Sequence, residues 1–248
     1  RGDWSSQASD GRGRSWNNQT VNARQPSHLL VLNVPGWADT PPLGITGRVD
    51  RFENFVSPQL GNSRAISVWI PPGYEQDSSR RYPVIYMHDG QNVFDPKSST
   101  FGVDWGIDES MTDLVRTGQR PALIVAIDCM PNRDQEYDDS LLGQRYADFL
   151  VHTVKPFIDA HYRTATGREN AFTMGSSMGA LIAISLVWRH PDVFSGAAAV
   201  SVPAMEGNGM ITRFVQAVPA PQQPVKIYMD HGDYGDDSDY GPWARDLY

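Results

Sequence analysis

The chain has 248 residues, of which 40% are hydrophobic and 20% charged, with a net charge of −8; this is enough apolar sequence for one buried core, or for one domain and part of another. The acidic balance argues against a general binder of nucleic acid or of anionic membranes, since both carry a basic face, and no apolar run approaches the roughly 20 residues that span a bilayer. Cys129 is the only cysteine, so an intrachain disulfide is excluded.

The first residues, RGDWSSQASDG, carry neither an initiator Met nor a signal peptide. The chain is therefore expected to come from inside a longer polypeptide. Residues 1–56 are polar and rich in Arg, Asn, Gly and Pro. They are expected to form an arm packed on the main domain or the tail of an upstream β-rich domain. Their one apolar run, LLVLNVPGW, reads as a strand ending at a Pro-Gly turn.

Residues 57–248 read as the domain proper. Ala65–Pro71 alternates and is rich in β-formers, and Tyr82–Asp89 is a short apolar run ending in a polar loop; both predict strands. Asp108–Val115 predicts a helix with Asp108 as N-cap. Ala122–Cys129 is continuously apolar, as in a strand buried on both faces. Tyr146, Phe149, Leu150, Val154, Phe157 and Ile158 recur at helical spacing over Tyr146–His161. Asn170–Gly175 predicts a strand and Ser177–Arg189 a helix that stops before Pro191. Gly196–Val202 and Val225–Asp230 predict two more strands. This alternation specifies an α/β protein with a mostly parallel sheet covered on both faces, whose site lies at the carboxyl ends of the strands.

Gly175-Ser176-Ser177-Met178-Gly179 fits G-x-S-x-G with Ser177 at its centre, after a predicted strand and before a predicted helix. In that context a tight turn pushes the serine Oγ over the sheet edge, and small neighbours let strand and helix approach. The Met178 N–H, at a helix N-terminus, would face a developing oxyanion. A second donor is expected from the loop His88-Asp-Gly-Gln-Asn92, where the N–H of Asp89, Gly90 or Gln91 qualifies. His88 precedes the nucleophile and reads as a hydrogen-bonded structural residue. The triad acid should follow a later strand. Met229–Trp243 is dense in carboxylates, and Asp233, Asp236, Asp237 and Asp239 are all candidates. The same stretch also reads as a solvated acidic loop or, less readily, as a calcium site without EF-hand spacing. No His/Cys cluster suggests zinc, and neither a metal nor a cofactor is expected.

Several stretches together resemble one family: RYPVIYMHDGQNVFD, DWGIDESM, Arg133-x-x-Glu136-Tyr137, YADFLVHTVKPFIDAHYRT, GSSMGALIA and YMDHG. They are similar to the esterases of the α/β-hydrolase fold, which include enterochelin-esterase-like proteins, feruloyl and acetyl-xylan esterases, and the antigen 85 mycolyltransferases. The resemblance covers about residues 57–243. It implies an α/β-hydrolase fold and a serine esterase acting on a small-molecule ester, with acyl-sugar and siderophore-type esters among the substrates. It further implies Ser177 as nucleophile and Met178 with a loop amide as oxyanion donors. Alignment of the acid loop by its Y-x-D-H-G start and by Tyr240, Pro242 and Trp243 puts the acid at Asp237. Relatives are often exported, which implies a secreted or periplasmic protein. Trp105 and Tyr137 are candidates to line a pocket, or are core.

The order in this fold is Ser, acid, His, yet no histidine follows His231. His28, His88, His152 and His161 precede Ser177, and His190 closes the helix after it. No base is assigned. The C-terminal end of the domain is expected to be missing, the chain alone to be nearly inactive, and the full-length protein to be an active esterase. An acyltransferase on the same site, or a hydrolase-fold binding module without catalysis, remains as an alternative.

Overall fold

A computed structural model describes residues 8–9, 36–37, 44–232, 240 and 243. Strands β1 (Ala8–Ser9) and β2 (Gly36–Trp37) form a two-residue antiparallel pair. The main sheet holds β3 (Arg48–Ser57), β4 (Asn62–Ile70), β5 (Val84–His88), β6 (Leu123–Ile127), β7 (Ala171–Ser176), β8 (Gly196–Val200) and β9 (Lys226–Met229). Its order is β3-β4-β6-β5-β7-β8-β9. The β3–β4 and β4–β6 pairs are antiparallel, and the remaining pairs are parallel. The expected mostly parallel sheet is therefore present. The five apolar residues of β6 are all buried, as a strand covered on both faces requires.

Alternation along the strands separates two cores. Val68, Leu123, Val125 and Ile127 join Tyr146, Phe149, Ile158, Ile182 and Leu186 on one face. These last residues belong to α3 (Leu141–Phe149), α4 (Lys155–His161) and α5 (Met178–Arg189). Trp69, Met87, Ile124 and Ala126 face the other way, toward Trp105, Ile107 and Met111 in and just before α1 (Ile107–Arg116). A short α2 spans Arg133–Glu136, and α6 spans Glu206–Ala217. No described helix is long and apolar enough to cross a membrane.

Three elements differ from the sequence expectation. The sheet starts at Arg48, so residues 48–56 belong to its edge strand. Asp108 is not the N-cap of α1. Gly106 holds that position with φ 59°, and Asp108 is buried one residue inside the helix. The helix expected over Tyr146–His161 begins at Leu141, where the Ser140 hydroxyl accepts the N–H groups of Leu142 and Gly143. It then passes through a π-helical turn at Leu150–Val154 before α4. Pro156 lies in the first turn of α4, where its missing N–H would interrupt a continuous α-helix.

Candidate active site

Ser177 sits between the end of β7 and the first residue of α5 with φ 53° and ψ −128°. Positive φ with such ψ is strongly disfavoured for a residue with a Cβ and costs about 1–3 kcal/mol, so the surroundings must impose it. They do so through the backbone. The Ser177 N–H donates to Val200 O at 3.0 Å, and the Ala180 N–H donates to Ser177 O at 2.8 Å. The flanking glycines permit the turn. A Cβ on Gly175 would lie 2.5 Å from Gly179 O, and one on Gly179 would lie 3.2 Å from Asp89 Oδ2 and 3.5 Å from His88 Cβ. The turn at Ser177 and the loop after β5 thus adjoin at the carboxyl ends of two neighbouring parallel strands. Met178 opens α5, so its N–H is one of the helix's unpaired first-turn donors.

The loop after β5 is built as tightly. Asp89 has φ 57° and ψ 48°, followed by a 3-10 turn at Gly90–Asn92. A Cβ on Gly90 would lie 2.6 Å from the Ile127 backbone, so this turn rests directly on β6. Of the three candidate amides, that of Asp89 already donates to Tyr137 Oη at 3.2 Å. The Gln91 side chain is held by Cys129, with Nε2 3.1 Å from Sγ and Oε1 accepting the Cys129 N–H at 3.1 Å. Burial pushes the Cys129 thiol up to about 11, which leaves it protonated and unreactive at neutral pH.

Arg133 received no role from the sequence, although it lies in the Arg133-x-x-Glu136-Tyr137 motif. Its guanidinium grips the Asp89 carboxylate with two bonds, Nε–Oδ1 at 2.7 Å and Nη2–Oδ2 at 2.8 Å. Nη2 also lies 3.5 Å from Ser176 O, and the group stacks 5.1 Å from the Tyr137 ring centroid. One side chain therefore braces the loop after β5 against the residue preceding Ser177. The other two motif residues share the task from the same short helix. Tyr137 receives the Asp89 N–H, and Glu136 forms a fully buried bidentate pair with Arg64 of β4, at 2.7 and 2.9 Å. The spacing was the available signal, because it puts three anchoring side chains on one turn and its flank. Tyr137 is 1% exposed, which makes it core and not pocket lining. Trp105 is partly buried against the second core.

His88 is 2% exposed, with Nδ1 2.9 Å from Tyr146 Oη and Nε2 2.9 Å from Thr173 Oγ1. Burial lowers its pKa to about 4, so it is neutral and structural. His152 is exposed near Asp148, and His161 Nδ1 meets Phe157 O at 2.8 Å. His190 caps α5 at the end opposite Ser177. His231 is exposed, with Nδ1 2.9 Å from Gly232 O. Asp230, at the end of β9, accepts the Ser201 N–H at 2.7 Å and the Tyr228 hydroxyl at 2.8 Å. Asp233, Asp236, Asp237 and Asp239 lie outside the described residues, as does His28.

The family model described as "Putative esterase" matches residues 57–244. Among curated proteins, the "Uncharacterized protein YbbA" of Bacillus subtilis (strain 168) is 21% identical over 159 residues, 59% of this chain and 59% of its own. The endo-1,4-beta-xylanase/feruloyl esterase of Xylanibacter ruminicola is 23% identical over 145 residues, 56% of this chain and 20% of its own. The match thus spans less than two thirds of either relative. Among solved structures, a ferulic acid esterase is 28% identical with a TM-score of 0.52, covering 68% of this chain and 67% of that one. The enterobactin esterase from Shigella flexneri, in the presence of enterobactin, gives 16% and 0.65 over 85% and 51%. The ferulic acid esterase from Anaeromyces mucronatus, in complex with ferulic acid, gives 21% and 0.59 over 84% and 80%. The sheet order and these likenesses place the chain in the α/β-hydrolase fold.

Proposed function

Because this chain belongs to the family described as "Putative esterase", we propose that it hydrolyses carboxylic esters with Ser177 as nucleophile. The observation that carries this reading is the backbone of Ser177, whose φ of 53° and ψ of −128° are held between a strand end and a helix start. A nucleophile elbow needs that geometry, and a structural serine has no use for its cost.

In the proposed reaction Ser177 Oγ bonds to the ester carbonyl carbon as a general base takes its proton. The carbonyl electron pair moves to oxygen, where the Met178 N–H and the N–H of Gly90 or Gln91 donate to it. The Asp89 amide is the weaker candidate because Tyr137 already accepts its proton. Collapse breaks the bond to the alcohol, which leaves with the proton held by the base. Water then repeats the sequence on the acyl-enzyme. Asp237 is the proposed acid, ahead of Asp233, Asp236 and Asp239. His88 is held neutral by two partners and His190 lies at the wrong end of α5, so the reading takes its histidine from outside the described residues. No metal or cofactor enters these steps.

The similar structures are of enzymes named ferulic acid esterase and enterobactin esterase, which supports feruloyl esters and enterobactin-type esters as the first substrates to assay. In the full-length protein, Ser177→Ala should lower kcat/KM on such an ester by about 10⁴–10⁶-fold and abolish fluorophosphonate labelling; turnover retained in the variant would overturn the assignment. Acyl transfer to an added sugar alcohol would mark an acyltransferase. A folded full-length protein with neither turnover nor adduct would leave a binding module.

A further inference from the structure

Three carboxylates gather at the start of α1. They belong to Asp104, Asp108 and Glu109, and the oxygens they offer lie within 4.8 Å of one another. Asp108 is completely buried. Its Oδ2 accepts the Thr46 N–H at 2.5 Å, but its buried Oδ1 has no hydrogen-bond partner, and neither has Glu109 Oε2. The remaining contacts are neutral. Thr46 Oγ1 donates to Glu109 Oε1 at 2.9 Å, and the Gly106 N–H donates to Asp104 Oδ2 at 3.0 Å. No lysine, arginine or histidine among the described residues forms an ion pair with any of the three.

First-turn carboxylates gain something from the helix dipole. That gain is small beside the cost of drying a carboxylate that lacks a counter-charge. A buried, unpartnered carboxylate oxygen on a residue clustered with two further carboxylates needs a positive charge or a proton. We propose that Asp104, Asp108 and Glu109 form a Ca²⁺ site that fastens the residues entering β3 to the first turn of α1. All the donors are oxygen, which selects a hard cation over zinc. Ca²⁺ accepts irregular sets of oxygen ligands, whereas Mg²⁺ demands near-octahedral geometry and gives up its waters reluctantly for a dry carboxylate such as Asp108. Without a cation, burial and the neighbouring Glu109 hold the Asp108 carboxyl up to about 8, so the competing occupant is a proton. Trp105, inside this segment, donates its N–H to Asn92 O at 2.9 Å. The site is thus one hydrogen bond from the turn at Gly90–Asn92.

The test is calorimetric titration of chelator-treated protein with CaCl₂, paired with thermal unfolding. One equivalent should bind, and at a hundredfold excess over Kd the Tm should rise by about 5–10 °C. Asp108→Asn should remove both effects. Glu109→Gln, at a half-buried position that folding tolerates more readily, should raise Kd at least about tenfold. Asp236→Asn, in the acidic loop, should bind as the parent does. Absence of heat and of a Tm shift at millimolar Ca²⁺ would overturn the proposal and leave Asp108 holding a proton. Binding that survives both Asp108→Asn and Glu109→Gln would assign the ion to the acidic loop and overturn it as well. Tighter binding of MgCl₂ would overturn the choice of Ca²⁺.

Discussion

At the scale of single residues, the region around Ser177 is held by contacts between side chains distant in sequence. Asp89 sits in a left-handed conformation with its N–H given to Tyr137 and its carboxylate given to Arg133. Arg133 also reaches Ser176 O, so it positions both sides of the candidate oxyanion pocket. Arg133→Met would leave the Asp89 carboxylate, 9% exposed, without its counter-charge. Because the arginine itself keeps a quarter of its surface in water, the cost falls below that of a fully buried pair, at about 1–3 kcal/mol. The expected outcome in urea unfolding and steady-state kinetics is that loss of stability, with kcat lowered about 10–100-fold and KM little changed. Arg133→Lys keeps the charge but not the fork, and should recover stability more fully than kcat. Equal recovery of both would show that Arg133 is only structural. Ser177 was legible because five small or special residues stand in a row. Arg133 was not, because an arginine in a polar stretch has no period or local partner, and Asp89 lies 44 positions away in sequence.

At the scale of elements, β3 explains why the sheet looked shorter from sequence. Phe52 pairs with Ile66, but Phe55 pairs with Arg64, so β3 carries one extra residue between them. In a regular strand, residues three apart point to opposite faces. The bulge rephases them, and both rings meet Phe157, at 5.1 and 4.9 Å. A reading that looks for period-two alternation finds none across a bulge, and β3 passed for part of a polar arm. The strands without a bulge, β4 to β9, were each found within a few residues. Phe55 also lies 6.1 Å from the Phe149 ring, so Phe55→Ala should destabilise the fold by about 2 kcal/mol, below the full core penalty because the ring is half-buried. Unchanged denaturant stability would mean that the edge strand contributes nothing to the core. The π turn before α4 escaped for a related reason. Helical periodicity survives one inserted residue, and only Pro156 hinted that the hydrogen-bond ladder had to shift.

At the scale of the molecule, the alternation of strands and helices was enough to name an α/β sheet, whereas the strand order is a long-range matter that local patterns do not encode. Buried titratable groups also give the whole fold a pH dependence. His88 is dry, and its pKa falls from the usual 6.5 to about 4. The native state therefore refuses a proton that the unfolded chain accepts between those values. Stability is full above pH 6.5 and declines as pH falls toward 4, by about 3 kcal/mol for this one group, and its contribution is flat below. His190, whose pKa burial also lowers, works in the same direction. Urea unfolding at pH 7, 5 and 4 should show the decline, and His88→Gln should show a shallower one; identical slopes would remove His88 as the cause. A further consequence follows from where the turn at Ser177 and the loop at Asp89 meet. They lie on adjacent strands, yet β6 and four helices are threaded between them in the chain. Neither half can be assembled by a local segment, and both must wait for the slow closure of long loops. The junction of these two turns is then among the last parts of the fold to form on refolding, and it reports completion of the sheet more faithfully than helix content does.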